Sequence, residues 1–234
     1  MTRIVALITA RGGSKRLPRK NVLPAGGKPL IVWTVQAASA ARSIARTLVS
    51  TDDDEIAEVC RSAGGEVPFR RPEHLAGDHS SHYDVVAHAI DWLEADEGRL
   101  PDYVLLLQPT TPLRTAEDID GIADLARRTG AESLVGVVPV SHHPMLCHRL
   151  GADGTLAPYL PRPEGYLRTQ DLEPAYALNG ALYLFRPDAF RARRQVLADH
   201  PVAYVMPRER SLDVDDAFDL ALVDLALKLR QGSA

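Results

Sequence analysis

Residues 8 to 21, with the sequence ITARGGSKRLPRKN, bring five cationic side chains close together. The cations are Arg11, Lys15, Arg16, Arg19 and Lys20. The pair Gly12-Gly13 lies among them, and glycine lets backbone N–H groups come close to an anion. Lysine and arginine compensate the charge of a polyphosphate. These residue types in this spacing predict a loop that binds a triphosphate.

The spacing of this basic loop differs from the common phosphate-binding patterns. Neither G-x-x-x-x-G-K-[ST] nor G-x-G-x-x-G occurs in it. Pro18 and Pro24 disfavour an immediate helix, so the segment should remain an irregular loop. A solvated basic loop is the alternative, because most charge runs face water. We favour the anion site because the cations and glycines directly follow a strand-like apolar run.

A second chemical feature lies near the end of the chain, in the sequence SLDVDD at 211 to 216. Side chains alternate along a strand, so Asp213 and Asp215 point to the same side if this segment is extended. Two adjacent carboxylates repel each other unless a cation joins them, and Mg²⁺ is commonly held by carboxylates together with substrate phosphates. The pair therefore predicts a Mg²⁺ site that complements the basic loop. The alternative is that Asp215 or Asp216 caps the last helix, which leaves Asp213 unexplained.

The elements that must position these side chains are indicated by hydrophobic periodicity. The predicted strands are 3–8, 47–51, 103–107 and 133–138, and the predicted helices are 29–41, one that follows Asp54, 83–95 and 116–128. Asp52, Asp53 and Asp54 are interpreted as helix-capping acids rather than metal ligands, and Thr115 as the cap of the fourth helix. Strands that alternate with helices in this way predict an α/β fold with a doubly wound, mostly parallel sheet.

The strand at 103–107 leads into the polar, proline-stiffened sequence QPTTPLR at 108 to 114. In an open parallel sheet, the loops that follow the strands gather at one edge, where ligands bind. Gln108 should therefore lie near the basic loop, and we expect it to contact a substrate.

The alternation of strands and helices stops after residue 138. The Asp-Gly step in GADG at 151 to 154 predicts a hairpin, and 141–175 is interpreted as an insertion that covers the site or meets a partner subunit. Tyr176 to Phe185 is a predicted strand interrupted at Asn179-Gly180, where glycine indicates close approach of backbone or ligand. The last helix carries an apolar stripe, formed by Phe218, Leu222, Leu225 and Leu229.

Length, composition and charge exclude several classes of protein. A chain of 234 residues with 45% hydrophobic and 25% charged residues fits a single globular domain over 1–234. The net charge of -4 argues against nucleic acid as the main partner. Cys60 and Cys147 are too few for a disulfide scaffold, and the histidines between 74 and 88 lack a zinc-ligand spacing. No apolar run has membrane-spanning length, so we expect no membrane contact and a cytoplasmic location.

Seven segments, taken in order, resemble the acylneuraminate cytidylyltransferases, the family typified by CMP-N-acetylneuraminate synthetase. They are ITARGGSKRLPRKN at 8–21, VSTDDDEIA at 49–57, FRRPEHLA at 69–76, LLQPTTPLR at 106–114, HHP at 142–144, LRTQDLEPAYALNGALYLF at 167–185 and SLDVDDAFDL at 211–220. The resemblance implies a Rossmann-like α/β fold and a reaction in which CTP and a 2-keto-3-deoxy sugar acid give a CMP-sugar and pyrophosphate. It also implies a homodimer, because 141–175 resembles an arm that the family exchanges between subunits.

The same resemblance implies roles for individual residues. The nucleotide would be held by Arg11, Gly12, Ser14, Lys15, Lys20 and Asn21, with Lys15 and Lys20 on the phosphates. Arg71 and a serine, either Ser80 or Ser81, would lie near cytosine or ribose.

On the acceptor side, the resemblance implies that Gln108 and Arg168 face the sugar acid. Asn179 and Tyr183, on the interrupted strand, complete the expected substrate contacts. Asp213 and Asp215 would bind Mg²⁺, and these two aspartates form the expected catalytic set together with Arg11 and Lys15.

We hypothesise an in-line attack by the anomeric hydroxyl of the sugar on the α-phosphorus of CTP, with Mg²⁺ orienting the phosphates. No side chain stands out in the sequence as the general base. The segment at 193 to 197 differs from family members in which aromatic residues shape the sugar pocket. The alternative acceptors are therefore legionaminic, pseudaminic and Kdo acids.

Two other classes of protein are alternatives to this family. A sugar-1-phosphate nucleotidyltransferase would carry a G-G-x-G-T-R-L signature, which is absent. A catalytically silent nucleotide-binding module would have no need of Asp213 and Asp215 together.

Overall fold

A mixed sheet of six strands forms the centre of the protein in the computed structural model, which describes residues 2–77, 80–161 and 168–232. The strands are β1 (Ile4–Thr9), β2 (Pro24–Ala25), β3 (Lys28–Pro29), β4 (Ile44–Ser50), β5 (Tyr103–Leu107), β6 (Ser133–Pro139), β7 (His148–Leu150), β8 (Leu156–Pro158), β9 (Tyr176–Phe185) and β10 (Val202–Val205). The α-helices are α1 (Leu30–Ala40), α2 (Asp54–Ser62), α3 (His82–Glu97), α4 (Ala116–Thr129), α5 (Pro187–Arg193) and α6 (Ala217–Gly232).

The strands of the main sheet lie in the order β10-β6-β9-β5-β1-β4. β1 pairs in parallel with both β4 and β5, and β6 pairs in parallel with β10. β9 lies between β5 and β6 and is antiparallel to both. The predicted Rossmann-like, mostly parallel sheet is confirmed, with one antiparallel strand near its centre.

Helices cover both faces of this sheet, as the doubly wound pattern predicts. On β1, Ile4, Ala6 and Ile8 face a core formed with α1, α2 and α4. Val5 and Leu7 face a second core formed with α3 and α5. All five side chains are 0% exposed, and burying such a side chain contributes about 1.5–3 kcal/mol. The end of β1 is therefore a rigid support for the loop that follows it.

The topology brings several loops to one edge of the sheet. β1, β4 and β5 run in the same direction, so Thr9, Ser50 and Leu107 end together at this edge. Because β9 runs in the opposite direction, its first half reaches the same edge, at Asn179-Gly180. Because β9 is antiparallel, the side chains of its first residues lie at this edge. In a parallel strand, the first residues would lie at the opposite edge.

The helix caps confirm three sequence predictions. Asp53 Oδ1 accepts the Ile56 N–H at 3.0 Å at the start of α2. Thr115 forms a reciprocal capping box with Asp118 at the start of α4. Asp216 Oδ1 accepts the N–H groups of Phe218 and Asp219 at 2.9 and 3.0 Å. Since Asp216 caps α6, the capping alternative does not account for Asp215.

Residues 141–175 contain the predicted hairpin, formed by β7 and β8. Gly154 has a φ of +82°, which fits the Asp-Gly turn signal. The hairpin is exposed, including Leu150 at 74% and Leu156 at 65%. Residues 162–167 of the predicted insertion lie outside the described residues.

The apolar stripe predicted for the last helix faces solvent instead of the core. Phe218 is 70% exposed and Leu229 64%, whereas Val223 and Leu227 are the buried residues of α6. The helix packs on β2 through this other face, where Val223 and Leu227 join Ala25 in a third apolar cluster. No helix within the described parts of the chain is long and apolar enough to cross a membrane.

Candidate active site

The basic loop leaves β1 as an irregular segment, as predicted, and is held by a polar neighbour on each side. The Gly12 N–H donates to Asp52 Oδ1 at 3.2 Å. A Cβ on Gly12 would lie 2.6 Å from Asp53 Oδ2, so only glycine fits this close approach. On the inner side, Asn21 is 9% exposed, and its Nδ2 donates to the Arg11 carbonyl at 3.1 Å. Asn21 therefore shapes the loop from below rather than presenting its amide to solvent.

Arg71 fixes the base of the loop. It is 5% exposed, and its guanidinium donates to the carbonyls of Ser50 and Ala10 at 2.5 and 3.2 Å and to Ser50 Oγ at 3.1 Å. Burial lowers the pKa of Arg71 to about 10, while the charge of Asp52 opposes this shift. The guanidinium stays protonated at neutral pH and ties the ends of β1 and β4 together.

A cavity of about 290 Å³, here called the nucleoside cavity, opens beside Arg71. Its walls are formed by Thr9, Arg11, Arg71, Leu75, Gly77, Ser80, His82 and Val85. Ser80 donates its hydroxyl to the His74 carbonyl at 2.8 Å. Of the two serines expected near the nucleoside, Ser80 lines this cavity, whereas Ser81 is exposed just before α3. The predicted residues Arg11, Arg71 and Ser80 are thus brought together.

The acidic segment meets the basic loop at the same edge. Val214 is 0% exposed, and its N–H donates to the Thr110 carbonyl at 2.8 Å, which fixes Asp213 and Asp215 on either side. Lys20 Nζ donates to the Val214 carbonyl at 2.7 Å and lies 3.8 Å from Asp215 Oδ1. Arg16 Nη1 lies 3.3 Å from Asp215 Oδ2. The structure therefore joins the two features that the sequence indicated separately.

The electrostatics of Asp213 differ from those of an ordinary surface carboxylate. Burial raises its pKa, and the neighbouring charge of Asp215 acts in the same direction. A hydrogen bond from Thr110 and the charge of Lys20 oppose this shift. Repulsion between the two carboxylates is what a bound cation would relieve.

A second cavity of about 550 Å³, here called the acceptor cavity, lies between β5, β9 and α3. It is lined by His82, Tyr83, Leu106, Gln108, Tyr183, Gln195, Val196 and Leu197. Gly180 brings its neighbours together: a Cβ there would lie 3.2 Å from Gln108 Oε1 and 3.9 Å from Asp213 Oδ2. Burial and the charge of Asp213 raise the pKa of Tyr183, so its phenol is protonated at neutral pH. Gln108 and Tyr183 thus face one cavity beside the acidic segment.

Asn179 lies in β9, directly before Gly180, and its side chain is buried. It is 5% exposed, and its Nδ2 donates to Ser211 Oγ at 3.0 Å and contacts Met206 Sδ at 3.1 Å. Its Oδ1 accepts the Ala181 N–H at 3.1 Å. With its polar atoms engaged inside the protein, Asn179 supports the acidic segment from below, and the substrate contact expected for it stays a prediction.

The remaining predicted residues are not part of the walls of either cavity. Lys15 is exposed on the basic loop, and Ser14 is half-buried there, with its N–H donating to the Gly12 carbonyl at 3.2 Å. Arg168 is exposed within the insertion. A larger cavity of about 660 Å³ lies at the opposite edge of the sheet, near Asp102 and Arg186, and contains none of the predicted residues.

Sequence reasoning missed three parts of the site. Arg114 is 1% exposed and lies beneath it, and its guanidinium donates to the Gln108 and Ala181 carbonyls and to the hydroxyls of Thr34 and Thr111. His82 lines both cavities, and the segment from Gln195 to Leu197 closes the acceptor cavity. The available signal for Arg114 was its place at the end of the QPTTPLR loop. For the others, no local pattern pointed to the site.

The fold and these cavities define a nucleotide-binding α/β protein with a charged edge and a second binding cavity beside it. The family model described as Cytidylyltransferase matches residues 5–213. The chain therefore belongs to the cytidylyltransferase family, and the protein is a nucleotidyltransferase.

Three relatives are named as enzymes for different sugar acids. The CMP-N,N'-diacetyllegionaminic acid synthase of Legionella pneumophila is 36% identical, with 98% of each chain covered. The N-acylneuraminate cytidylyltransferase of Streptococcus agalactiae is 33% identical over 92% of this chain, which spans 51% of that longer protein. The pseudaminic acid cytidylyltransferase of Campylobacter jejuni is 29% identical, with 98% of each chain covered.

A solved structure supports the fold. The CMP:2-keto-3-deoxy-manno-octonic acid synthetase complexed with CTP has a TM-score of 0.72 and 20% identity, with 100% of both chains covered. This likeness confirms the Rossmann-like α/β architecture predicted from the sequence.

Proposed function

We propose that the protein transfers CMP from CTP to the anomeric hydroxyl of a sialic-type nonulosonic acid and releases pyrophosphate. The observation that carries this proposal is the meeting of the basic loop with the acidic segment, where Lys20 Nζ lies 3.8 Å from Asp215 Oδ1. A nucleoside cavity and an acceptor cavity open near the same edge of the sheet, and transfer requires two substrates bound side by side. The names of the relatives support the same class of reaction.

In this proposal, cytidine occupies the nucleoside cavity, and its phosphates extend along the basic loop. Arg71 and Ser80 lie at the cavity wall, and Arg11 lies where the cavity meets the loop. Lys15 and Lys20 would bind phosphate oxygens, since their ammonium groups supply positive charge on the loop. Ser14 would contribute a further donor.

Asp213 and Asp215 fit a Mg²⁺ ion that is shared with the triphosphate. Among the described residues, no three His, Cys, Asp or Glu side chains form a metal cluster, so phosphate oxygens and water would complete the coordination. When bound, Mg²⁺ would offset the negative charge of the phosphates and lower the pKa of the acceptor hydroxyl. Lys20 and Arg16 neutralise Asp215 in this structure.

The sugar acid would occupy the acceptor cavity, with Gln108 and Tyr183 as hydrogen-bonding partners. Arg168 would bind the carboxylate of the acid, because a guanidinium matches a carboxylate in geometry and charge. The hairpin of the insertion is exposed. We propose a homodimer in which the insertion meets the partner subunit, so that Arg168 reaches an acceptor cavity.

A second acceptor is favoured by one observation. The relative that is 36% identical along its whole length is named a CMP-N,N'-diacetyllegionaminic acid synthase. A diacetylated legionaminic acid is therefore the second candidate for the acceptor cavity.

An isotope experiment tests the chemistry of this proposal. The anomeric hydroxyl of the acid is labelled with ¹⁸O, and the CMP-sugar is analysed by mass spectrometry after reaction with CTP and Mg²⁺. Attack by that hydroxyl on the α-phosphorus predicts that the label is retained in the product and absent from pyrophosphate. A label in pyrophosphate, or a product that lacks it, would contradict the proposed bond formation.

A further inference from the structure

His82 lies at the junction of the two cavities. It is the first residue of α3, and it lines the nucleoside cavity together with Thr9 and Arg71. It also lines the acceptor cavity together with Gln108 and Tyr183. Of the residues that form the two walls, His82 is the one they share. Its ring is therefore placed where an acceptor hydroxyl and the α-phosphate of a bound nucleotide would meet.

Thr9 sets the orientation of this ring. His82 Nε2 lies 3.0 Å from Thr9 Oγ1, at the rigid end of β1. In the tautomer in which Nε2–H donates to Thr9, the lone pair of Nδ1 is left to accept a proton. In general, the hydrogen bond made by one ring nitrogen orients a histidine and influences which nitrogen carries the proton.

The charges around His82 favour its neutral form. Burial lowers the pKa of His82, and the positive charge of Arg71 acts in the same direction. Arg11 also lines the nucleoside side, while the protonated phenol of Tyr183 faces the acceptor side. Asp84, two residues further along α3, is engaged by Arg194. At neutral pH the imidazole is consequently unprotonated and able to accept a proton.

We propose that His82 is the general base of the transfer reaction, which deepens the proposed function and rests on it. His82 Nδ1 takes the proton of the acceptor hydroxyl as that oxygen bonds to the α-phosphorus. The bond from the α-phosphorus to the bridging oxygen breaks at the same time, and its electron pair leaves with pyrophosphate. The proton on His82 then passes to solvent through the open cavity.

The other polar side chains in the walls are poor candidates for this role. Gln108 and Gln195 are not bases, and the phenol of Tyr183 holds its proton because its pKa is raised. Arg71 stays protonated at physiological pH and therefore cannot accept a proton. Bases that act in such reactions work best when their pKa is near or below the operating pH, as for a neutral imidazole.

The test compares His82→Gln with His200→Gln, a matched change at an exposed histidine outside both cavities. CTP affinity is measured by calorimetry, and kcat and kcat/KM are measured from about pH 5 to about pH 9, a range that spans histidine titration. The proposal expects kcat of His82→Gln to fall by about 100-fold or more, with CTP affinity within about threefold of the unsubstituted protein. It also expects the acid limb of the kcat/KM profile, with a pKa below 6.5, to disappear in His82→Gln alone.

Several outcomes would overturn the proposal. Activity of His82→Gln within a few-fold of the unsubstituted protein, or an intact acid limb, would exclude His82 as the base. Weaker CTP binding with unchanged kcat would make His82 a nucleotide contact only. If His82→Gln unfolds, His82→Ser is measured in the same way against the same criteria. Failure of the proposed function is distinguishable, because the unsubstituted protein itself would then release no pyrophosphate with any acid.

Discussion

At the scale of single residues, the two aspartates of the acidic segment have different surroundings. Asp215 is exposed and pairs with Arg16 and Lys20, whereas Asp213 lies closer to Gly180 and Tyr183. Their mutual repulsion contributes to the raised pKa of Asp213. The two carboxylates repel each other and lie beside the basic loop, so the pair is better explained by chemistry than by stability.

Asp213→Asn and Asp215→Asn are each expected to lower kcat by at least about 100-fold, because each removes a charge that offsets cation and phosphate in the transition state. The fold should persist, since Val214 rather than either carboxylate anchors the segment. Steady-state kinetics and thermal unfolding measure the two effects. Asp199→Asn, at an exposed aspartate outside both cavities, is the control. Full activity in both site variants would show that neither aspartate takes part in catalysis.

His88 gives a prediction about stability and pH. Within the described parts of the chain, its Nδ1 is buried without a hydrogen-bond partner, and its ring lies 4.8 Å from that of Phe69. Burial is the main cause of its pKa falling below the usual 6.5. Since the folded state prefers the neutral ring, this contribution to stability is full above pH 6.5 and is lost as the pH falls through the lowered pKa.

We therefore expect the Tm of the protein to fall as the pH is lowered from about 7.5 to about 5.5, and to fall less steeply in His88→Leu. The slope should decrease without vanishing, because the pKa of His82 is lowered too. Differential scanning fluorimetry in matched buffers measures it. His200→Leu should retain the dependence of Tm on pH seen in the unsubstituted protein. If His88→Leu shows the same dependence, His88 does not contribute to it.

At the scale of elements, Arg114 joins three parts of the site. Its guanidinium contacts the loop after β5 through the Gln108 carbonyl, β9 through the Ala181 carbonyl and α1 through Thr34 Oγ1. Burial lowers its pKa to about 9, although Asp118 and Asp213 oppose the shift, so the group remains charged at neutral pH. One side chain thus holds Gln108 and the Gly180 turn in their relative positions.

Arg114→Met is expected to lower the free energy of unfolding by about 3–5 kcal/mol, because it leaves buried carbonyls and hydroxyls without their donor. The KM for the acceptor should rise as well, since Gln108 loses its support. Arg127→Met, which breaks only a surface pair with Asp124 on α4, is the control and should change stability by less than about 0.5 kcal/mol. Urea unfolding of both variants measures this. Equal effects would show that Arg114 is not a structural link.

The elements also show what periodicity reveals and what it leaves open. β5 was predicted at its observed limits, 103–107, because a continuous apolar run bounded by polar residues is a clear strand signal. The direction of β9 was not predictable, because side-chain alternation is the same in parallel and antiparallel strands. For α6, the apolar spacing predicted a helix correctly. It did not show which face of the helix packs against the rest of the protein.

At the scale of the site, residue type was a good guide where charge dominates. Lys20 and Asp215 lie far apart in sequence, yet each was assigned from its own chemistry and the structure brings them together. The burial of Asn179 was not predictable, because Asn-Gly is typical both of ligand contacts and of tight turns. His82 was overlooked because a histidine at a helix start, among several others, has no signal until the cavities on its two sides are known.

For the whole molecule, the exposed hairpin is the main prediction about assembly. Leu150 and Leu156 are 74% and 65% exposed, and apolar side chains at such exposure are typical of an interface. Leu150→Asp with Leu156→Asp is expected to convert a homodimer to monomers in light scattering, because burying two carboxylates opposes association. Phe218→Asp with Leu229→Asp, on the exposed face of α6, provides the comparison. If only the α6 double variant is monomeric, the interface lies on α6 and not on the hairpin.

The central claim, transfer of CMP from CTP to a nonulosonic acid, is tested most directly by pyrophosphate release. The protein is incubated with Mg²⁺ and each common nucleoside triphosphate, against N-acetylneuraminic, legionaminic, pseudaminic and Kdo acids. We predict release that requires both CTP and a nonulosonic acid, with N-acetylneuraminic acid or a diacetylated legionaminic acid as the preferred acceptor. Two results would contradict the claim: no pyrophosphate release with any acid although CTP binds, or equal pyrophosphate release with all of the triphosphates.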